Sequence, residues 1–427
     1  MKKLLTLVLT VVMAVGCCFG IVSCGGTGNN SEKPYDGIVK IENLSDIKVG
    51  LICLHGESST YDKNFIDAFN AAVAAKGVQK VIKVDIPESS ACYDAAADLV
   101  DQGCDIIFAD SFGHEEHMLK AAKEFPEVQF CHATGTYAHT ENRGNFHNAF
   151  ASIYEGRYLA GIAGGMKLKA MIDNDELTTD NYDENGNVKV GYVGAWTYAE
   201  VISGFTSWYL GVRSIVPNVV MDVQFTGSWY DETAEKTAAE TLISKGCALI
   251  SQHADSMGAP TACETASVPN VSYNGSTVSA CPNTFIASSR INWQPYFEYI
   301  IDCVNKGEEI SLDYCNGIGS TWFDGSVALT ELGNVAVEGT EEAINDAIAQ
   351  FKAGTLKVFD LSKFTVNGEA LADDFKADVD TDAEFAADTV VIKTTEGGIK
   401  YFAESEFRSA PYFALKIDGI TYLNEKY

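Results

Sequence analysis

The sequence that decides the fold occurs twice: residues 93–113 read YDAAADLVDQGCDIIFADSFG, and residues 236–258 read KTAAETLISKGCALISQHADSMG. Each copy runs from a helix-like segment through a Gly-Cys turn into an apolar strand, and then into A-D-S-x-G. Because these features follow in the same order, the two copies indicate two lobes of one design. Ligands of open parallel α/β sheets bind outside the carboxyl ends of the strands. The two A-D-S-x-G loops are therefore expected to face each other across a ligand cleft.

Short apolar runs alternate with helical stretches around both copies. Val49–Leu54 begins the first series, Val128–His132 ends it, and a second series starts at Val188. Strands that are apolar on both faces, with helices between them, are typical of parallel sheets covered on each side. The sequence therefore predicts an α/β protein with a two-lobed fold, in which helices cover both faces of each parallel sheet and a hinge closes the lobes on a ligand.

The chain is long enough for two packed domains. The predicted parts are a signal peptide at 1–23, a flexible tether at 24–45, a first lobe at 46–150 with a return segment at about 285–320, a second lobe at 151–284 with a return segment at about 321–365, and a β-rich C-terminal appendage at 366–427. Within this appendage, the turns Glu396–Gly398 and Asp418-Gly419 predict two hairpins. The appendage is expected to pack on a lobe and to have no site of its own.

The N-terminus indicates export. Two lysines precede an apolar run from Leu4 to Val15, and Ile21–Cys24 (IVSC) follows it. A basic start, an apolar run too short to span a bilayer and small residues at its end are typical of a signal peptide. The IVSC segment resembles the bacterial lipobox, which implies cleavage before Cys24 and a lipid on its sulfur; a plain signal peptide with an incidental cysteine is the alternative. Gly25–Lys33 has the composition of a flexible tether.

The formal net charge of −29 restricts the class of partner. Such an acidic surface repels phosphate backbones, which argues against nucleic-acid binding. The surface charge does not restrict a small ligand in the same way, since a pocket can differ in charge from the surface around it.

The cysteine count does not predict a disulfide framework. Of twelve cysteines, two lie in the predicted signal peptide and Cys24 is the predicted lipid site, which leaves an odd number without a C-x-x-C pair. Several, such as Cys104, lie in or beside apolar strand-like runs, where a free thiol serves as a small hydrophobic side chain. Most are therefore predicted to be reduced core residues, and Cys263 with Cys281 is the pair to check for a bridge.

Aromatic residues follow predicted strands in both lobes. Phe65 and Phe112 belong to first-lobe loops, and Trp196 and Tyr198 belong to the second-lobe loop Ala195–Glu200. Stacked rings prefer offset faces, so aromatic residues on opposite sides of the cleft are suited to hold a flat heterocycle between them. The alternative interpretation is that Phe65 packs into its own helix.

Three aspartates, Asp62, Asp110 and Asp255, lie in loops at predicted strand ends. Their carboxylates are hydrogen-bond acceptors suited to ring N–H groups or sugar hydroxyls. The alternative is that they cap the helices that follow. Because all three fall on strand-end loops, the ligand-binding interpretation is preferred.

Several segments resemble the basic membrane protein family of substrate-binding lipoproteins. Asp62–Phe65 (DKNF) is similar to the D-K-S-F stretch of that family, and further similar segments are Phe112-Gly113, Glu155–Gly161, Gly191–Gly194 and Thr226–Asp231. The resemblance runs from about Lys48 to beyond residue 360. It implies a type I periplasmic-binding fold that serves an ABC importer, with a purine nucleoside as the ligand of most relatives and riboflavin as that of some.

The same resemblance implies roles for individual residues. Asp62 and Phe65 fall where the family contacts the base. The loop that contains Trp196 and Tyr198 falls where the family places a second stacking aromatic residue. Asp255 lies in the loop that is expected near the sugar.

Departures from the family pattern bear on the ligand. The family's G-V-D-S-D-Q is replaced by Ser272–Ser276, which contains Asn274, and its ribose-binding lysine falls near Arg290, which has a different donor geometry. Trp293 adds an aromatic residue, as in a branch whose ligands look more like bases than nucleosides. The resemblance therefore implies a purine nucleoside or a related purine base, with a riboflavin-like heterocycle or a sugar as the alternative.

The sequence does not favour an enzyme. It contains no G-x-S-x-G, P-loop or G-x-G-x-x-G motif, and His114 and His117 are three residues apart, whereas the zinc motif needs four. The protein is therefore expected to be a carrier without a cofactor or metal; a surface receptor that senses the same ligand is the alternative. Its expected partners are a small-molecule ligand, an ABC permease and ATPase, and the cell membrane, through the lipid anchor on the extracytoplasmic face.

Overall fold

The computed structural model describes residues 34–318, 325–379 and 386–427. The predicted signal peptide, the lipid site Cys24 and the start of the predicted tether lie outside these residues. Within the described ranges, none of the helices combines the length and the apolar character that crossing a bilayer requires.

The described residues alternate between strands and helices. The strands are β1 (Lys48–Ile52), β2 (Gln79–Lys83), β3 (Ile106–Ala109), β4 (Gln129–Ala133), β5 (Phe146–Ala151), β6 (Val188–Gly194), β7 (Val219–Phe225), β8 (Ile250–Gln252), β9 (Asn270–Tyr273), β10 (Phe285–Ile291), β11 (Asp313–Asn316), β12 (Val327–Leu329), β13 (Lys376–Ala377), β14 (Thr389–Val390), β15 (Ile392–Thr394), β16 (Lys400–Phe402) and β17 (Ile420–Tyr422). The helices are α1 (Thr60–Lys76), α2 (Ser90–Asp101), α3 (Glu115–Glu124), α4 (Tyr137–Glu141), α5 (Ile153–Asp173), α6 (Ala199–Ile215), α7 (Glu232–Ser244), α8 (Gly258–Ala266), α9 (Gln294–Lys306) and α10 (Thr340–Lys352).

The strands form two large sheets. The first has the order β11-β5-β4-β3-β1-β2, and all of its pairs are parallel. The second has the order β12-β10-β9-β8-β6-β7-β17 and is parallel except for the pair of β10 with β12. Helices connect successive parallel strands, which confirms the predicted α/β class with two lobes.

Local sequence signals fix the helices that border the cleft. Ser59 caps α1 by accepting a hydrogen bond from the backbone of Asp62, and Gly77 ends the helix in the left-handed conformation. Asp231 caps α7 in the same way, through the backbone N–H of Ala234. Both caps follow strands and start the helices at the cleft edge of their lobes.

Two glycines allow α5 and α6 to pack closely in the second lobe. A Cβ atom on Gly161 would clash with the carbonyl oxygen of Trp208, and one on Gly211 would clash with the carbonyl oxygen of Tyr158. The obstacle is backbone in both cases, so a side-chain rotation cannot relieve it. This close contact holds together the two longest helices of the second lobe.

The predicted lobe boundaries need one correction. β10, which the sequence analysis placed in the return segment of the first lobe, pairs with β9 in the second sheet. The return to the first lobe therefore begins after Ile291, with α9 and β11. An apolar run such as Phe285–Ile291 fits either sheet, because its composition does not reveal its partner strand.

The described part of the predicted tether is not free. The backbone N–H of Ile41 donates to the carbonyl oxygen of Val304 at 3.1 Å, and the hydroxyl of Tyr35 donates to Glu309 at 3.0 Å. The side-chain amide of Asn305 donates to the carbonyl oxygen of Ile41 at 2.9 Å. Residues 34–45 therefore pack along the end of α9, and the apolar side chains of Ile38, Ile41 and Leu44 contact the core.

The C-terminal segment differs from the predicted appendage. β15 and β16 form the hairpin expected around Glu396–Gly398. The hairpin predicted at Asp418-Gly419 is wrong, because β17 pairs in parallel with β7 as an edge strand of the second sheet. Gly419, with a φ of 91°, turns the chain toward this edge, and Ile420 is buried there.

All nine cysteines in the described ranges are free, including Cys263 and Cys281. The thiol of Cys281 donates to the carbonyl oxygen of Thr277 at 3.2 Å, and Cys263 accepts from the side-chain amide of Asn270 at 3.7 Å. The bridge that the sequence left to be checked is therefore absent from this pair, and both residues act as small buried side chains.

The α5–α6 contact gives a stability prediction. Gly161→Ala is expected to lower the melting temperature, because the added methyl group meets the Trp208 carbonyl oxygen and overpacking costs about 1–3 kcal/mol. This cost exceeds the gain of at most about 1 kcal/mol from helix propensity. Urea unfolding of Gly161→Ala and of the wild type measures the difference in their free energy of unfolding. Gly397→Ala, at an open position whose nearest atom is 3.7 Å away, is the control; equal stability of both variants would contradict the close-packing argument.

Candidate functional site

A cavity lies between the carboxyl ends of the two sheets, and its non-atom space, counted together with the adjoining open solvent, is about 440 Å³. Its walls come from the residues that follow β1, β3 and β4 in the first lobe and β6, β7, β8 and β9 in the second. The lining residues are Leu54, His55, Tyr61, Asp62, Ser111, Phe112 and Thr134 from the first lobe, and Glu200, Trp229, His253, Asp255, Tyr273 and Asn274 from the second.

The two lobes contact each other at the edge of this cavity. The backbone N–H and the hydroxyl of Thr60 both donate to the carbonyl oxygen of Asp255, at 3.0 and 3.2 Å. The rings of Phe112 and Tyr198 lie 5.7 Å apart across the cleft. The lobes are therefore in direct contact, and side chains from both of them line the cavity.

Asp62 forms the base of the first-lobe wall. One carboxylate oxygen accepts the backbone N–H of His55 at 2.7 Å, and the other lies 3.5 Å from Nδ1 of His55. Burial alone would raise the pKa of Asp62, but hydrogen bonds with His55 and Ser59 outweigh burial and lower the pKa below its usual value. Asp62 is therefore a charged acceptor in the cavity wall.

Asp110 lies directly behind Asp62. It is fully buried; Oδ1 accepts the backbone N–H of Leu54 at 3.1 Å, and Oδ2 has no partner among the described residues. Burial, together with the charge of Asp62, raises the pKa of Asp110 well above its usual value. Burial and the neighbouring charge of Asp62 therefore both favour the protonated form of Asp110.

The same corner is the place where the described residues come closest to a metal-binding arrangement. Ligand atoms of Cys53, Asp62 and Asp110 lie within 4.8 Å of one another. Burial raises the pKa of Cys53 well above its usual value, as it does for Asp110. A metal ion needs deprotonated ligands, so two protonated groups out of three disfavour a metal at this position.

The second-lobe wall is a network of polar and aromatic side chains. Nε2 of His253 lies 2.6 Å from a carboxylate oxygen of Glu200, and the hydroxyl of Tyr273 donates to the other oxygen at 3.3 Å. Behind this wall, the fully buried guanidinium of Arg157 lies 4.2 Å from the ring centroid of Tyr273. This network holds Glu200 and His253 in fixed positions facing the cavity.

Asp255 completes the second-lobe wall beside Asn274. The side-chain amide of Asn274 donates to Oδ1 of Asp255 at 3.1 Å. Burial, with the nearby charge of Asp62, raises the pKa of Asp255 well above its usual value. A protonated Asp255 offers the cavity both a hydroxyl donor and a carbonyl acceptor.

The structure brings six of the ten candidate residues to the cavity or its rim. Asp62, Phe112, Asp255 and Asn274 line it, Asp110 supports Asp62, and the ring of Tyr198 packs between those of Phe112 and Trp229. Trp196 stacks on the outer side of Tyr198, at 5.9 Å between ring centroids, and is not part of the lining.

Three candidate residues lie away from the cavity. Phe65 and Trp293 stack on each other in the hydrophobic core, with ring centroids 4.4 Å apart and almost no exposed surface. Phe65 faces inward because it shares the buried side of α1 with Phe69, four residues later. Arg290 lies on β10 opposite Ala328 of β12. Phe65 therefore packs beneath its own helix, as the alternative interpretation of the sequence expected.

Sequence reasoning missed lining residues on both sides. His55, Ser111 and Thr134 directly follow first-lobe strands, and Trp229 and His253 follow second-lobe strands. Each lies within four residues of a strand end. The strand-end rule, applied to every predicted strand instead of to the aspartates and selected aromatic residues, would have found them.

Two parallel sheets with a cavity at their facing carboxyl ends define a solute-binding protein of the periplasmic-binding fold. Solved structures support this fold: an ABC transporter solute-binding protein from Conexibacter woesei has a TM-score of 0.57 at 18% identity, covering 73% of this chain and 98% of that one. Another from Aeropyrum pernix has a TM-score of 0.59 at 17% identity, covering 73% and 93%.

The family to which this chain belongs follows from its amino-acid sequence. Residues 31–358 match the family described as ABC transporter substrate-binding protein, PnrA-like, and the chain belongs to this family. The description of this family names substrate-binding proteins of ABC transporters.

Relatives within and near the family are named for different solutes. A Haloferax volcanii protein named for glucose binding in an ABC transporter is 31% identical over 203 residues, which is 48% of this chain and 46% of that protein. A purine-binding protein of Brucella abortus is 26% identical over 342 residues, covering 78% and 85%. A nucleoside-binding protein of Lactococcus lactis is 25% identical over 158 residues, covering 37% and 39%. The chain thus aligns with less than half of the first and third proteins.

The raised pKa of Asp110 gives a prediction about pH. Burial raises the pKa of Asp110 in the folded state above its value in the unfolded chain, which is near 4, so this group's contribution to stability falls as the pH rises above about 4. Asp110→Asn keeps the acceptor for Leu54 and cannot ionise. Its stability relative to the wild type is expected to increase with pH, by at most about 1.4 kcal/mol per pH unit.

Urea unfolding at several pH values between 4.5 and 7.5 measures this trend. The exposed Asp94→Asn is the control and should show a constant difference from the wild type. A constant difference for Asp110→Asn as well would contradict the raised pKa of Asp110.

Proposed function

We propose that this protein captures a purine base, or a purine nucleoside, between its two lobes and delivers it to an ABC permease and ATPase for import. A lipid on Cys24 would hold it at the extracytoplasmic face of the cell membrane. Membership of the substrate-binding family and the cavity between the lobes support the carrier role.

The observation that carries the ligand proposal is the chemistry of the cavity wall. Three carboxyl groups, from Asp62, Glu200 and Asp255, face the cavity, and the described lining residues include neither Lys nor Arg. Purine bases present N–H donors and no negative charge, which suits these acceptors. A phosphorylated nucleotide would bring its charge next to carboxylates without a cation to balance it.

Aromatic rings supply the second feature that a flat ligand needs. Phe112 lines the cavity and remains 50% exposed although the lobes are in contact, and Trp229 lines the opposite wall. Such an exposed face is available for offset stacking on a heterocycle. Tyr198 packs against both rings and limits their movement.

The position of Arg290 favours a base over a nucleoside. The family resemblance placed this residue near the ribose-binding lysine, but Arg290 lies on β10 and does not line the cavity. A ribose would therefore lack the cationic donor that the resemblance implied for it. The relative named for purine binding, which aligns over most of both chains, is consistent with this preference.

A sugar is the second candidate ligand. The Haloferax relative is named for glucose binding, and carboxylates together with aromatic faces also suit sugar hydroxyls and ring carbons. A riboflavin-like heterocycle needs the same stacking faces but more room.

Unfolding of the protein in the presence of candidate ligands tests the proposal. A ligand that binds only the folded state raises the free energy of unfolding by about 2.7 kcal/mol at a hundredfold excess over its dissociation constant. Adenine, guanine, hypoxanthine, adenosine, AMP, riboflavin and glucose form the panel. We expect purines to shift the midpoint and AMP to have no effect. A shift with glucose alone would replace the purine assignment by the sugar one, and a shift with AMP would contradict the electrostatic argument.

Asp62 is expected to be the principal acceptor for the ligand. Asp62→Asn should weaken purine binding roughly 10- to 150-fold, because hydrogen bonds to charged groups contribute about 1.5–3 kcal/mol. Calorimetric titration measures the dissociation constant. Asp67→Asn, on the exposed side of the same helix, should leave affinity unchanged; equal affinity of both variants would remove Asp62 from the site.

Phe112 is expected to stack on the ligand. Phe112→Ala should weaken binding roughly 5- to 30-fold, since an aromatic pair and its buried area contribute about 1–2 kcal/mol. Phe112→Tyr keeps the ring and should restore most of the affinity. If the alanine variant binds purines as well as the wild type does, the ligand is not stacked on Phe112.

A further inference from the structure

The last residues of the chain contact two loops of the cavity wall. β17 pairs with β7, and the backbone N–H of Leu423 continues this pairing by donating to the carbonyl oxygen of Val223 at 2.9 Å. We call residues 420–426 the C-terminal tail. This tail lies beyond residues 31–358, the part of the chain that matches the family.

Asn424 extends the strand pairing with its side chain. Its amide nitrogen donates to the carbonyl oxygen of Phe225 at 2.8 Å, and its amide oxygen accepts the backbone N–H of Phe225 at 2.7 Å. Asn424 thereby fixes the end of β7. The loop from Thr226 to Trp229 starts at this point, and Trp229 lines the cavity.

Lys426 holds the neighbouring loop through its backbone. Its N–H donates to the hydroxyl of Thr197 at 2.9 Å, and its carbonyl oxygen accepts the backbone N–H of Thr197 at 2.7 Å. Thr197 is buried, with 7% of its surface exposed, and stands between Trp196 and Tyr198. Backbone atoms of the tail thus form hydrogen bonds with both the backbone and the side chain of Thr197.

The two loops meet inside the cleft. The ring of Tyr198 lies 6.2 Å from that of Trp229 and 5.7 Å from that of Phe112. A shift of either loop would therefore move the aromatic faces that the proposed ligand needs. Holding loops in the binding conformation before the ligand arrives removes the entropic cost of ordering them on binding.

We propose that the C-terminal tail is part of the binding site. Asn424 in the tail and Thr197 in the loop bound by the tail are positioning residues. They hold Trp229 and Tyr198, respectively, in place for the ligand. Neither residue lines the cavity. The inference concerns affinity and so rests on the proposed function for its ligand, but the ordering of the loops by the tail does not depend on which solute binds.

Two pairs of variants of the full chain test the proposal. Thr197→Val removes the acceptor of the Lys426 N–H, and Thr197→Ser keeps it. Asn424→Ala removes both bonds to Phe225, and Glu425→Ala changes the exposed residue between the two contacts. Thr197→Ser and Glu425→Ala are the matched controls.

Hydrogen exchange of the ligand-free protein is the first measurement. We expect the amides of Thr197 and Phe225 to exchange at least roughly 10-fold faster in Thr197→Val and Asn424→Ala, respectively, and at wild-type rates in both controls. The second measurement is the affinity for adenine by calorimetry, which should fall roughly 2- to 10-fold in the two disrupting variants while the melting temperature changes little.

The outcomes separate the two proposals. Unchanged exchange in Thr197→Val and Asn424→Ala would overturn the positioning role, and so would faster exchange with unchanged affinity. If the wild type binds no purine, the proposed function fails, and affinity is then measured with whichever compound of the panel shifts the unfolding midpoint. The positioning role is judged on that compound by the same two criteria.

Discussion

The parallel orientation of the strands is the constraint on which the rest of this structure depends. It brings the carboxyl ends of neighbouring strands to one edge of each sheet, and the two edges face each other across the cavity. Every lining residue except Tyr273, the last residue of β9, occupies a strand-end loop or the first turn of the following helix. The hydrogen bonds of Thr60 to the backbone of Asp255 join the two edges directly. Binding by closure of two lobes is a consequence of this geometry and requires no motif beyond it.

The repeated A-D-S-x-G segment predicts the positions of two aspartates but not the surroundings of their side chains. It correctly places Asp110 and Asp255 at equivalent strand ends of the two lobes. Their environments nevertheless differ, since Asp110 supports Asp62 from behind while Asp255 faces the cavity beside Asn274. The position of a loop at the end of a strand follows from local pattern, but the direction of a side chain depends on how each helix is rotated against its sheet. The same limit explains why Phe65 was assigned to the ligand and lies in the core.

The C-terminal segment shows a second limit of sequence reasoning. Asp418-Gly419 between two apolar runs is a hairpin signal when only neighbours in sequence are considered. Ile420 instead pairs with Met221, about two hundred residues earlier in the chain. Nothing local distinguishes an edge strand that pairs with its neighbour from one that crosses to a distant sheet. A segment that looked like an independent appendage therefore completes the second lobe and reaches the loops of its cavity.

The charge balance around the cavity explains how so acidic a wall can be built and what it can accept. Burial raises the pKa values of Asp110 and Asp255 and so favours their protonated forms, and a carboxylate oxygen of Glu200 lies 2.6 Å from Nε2 of His253. Behind the second wall, burial lowers the pKa of Arg157 to about 10, which still leaves the guanidinium charged at neutral pH. Its charge lies under the ring of Tyr273, whose hydroxyl donates to Glu200. Asp62, whose pKa is lowered, remains a charged acceptor in this wall, while the raised pKa values of Asp110 and Asp255 reduce the total negative charge. Such a wall favours a ligand rich in hydrogen-bond donors over an anion, which would need an accessible cation.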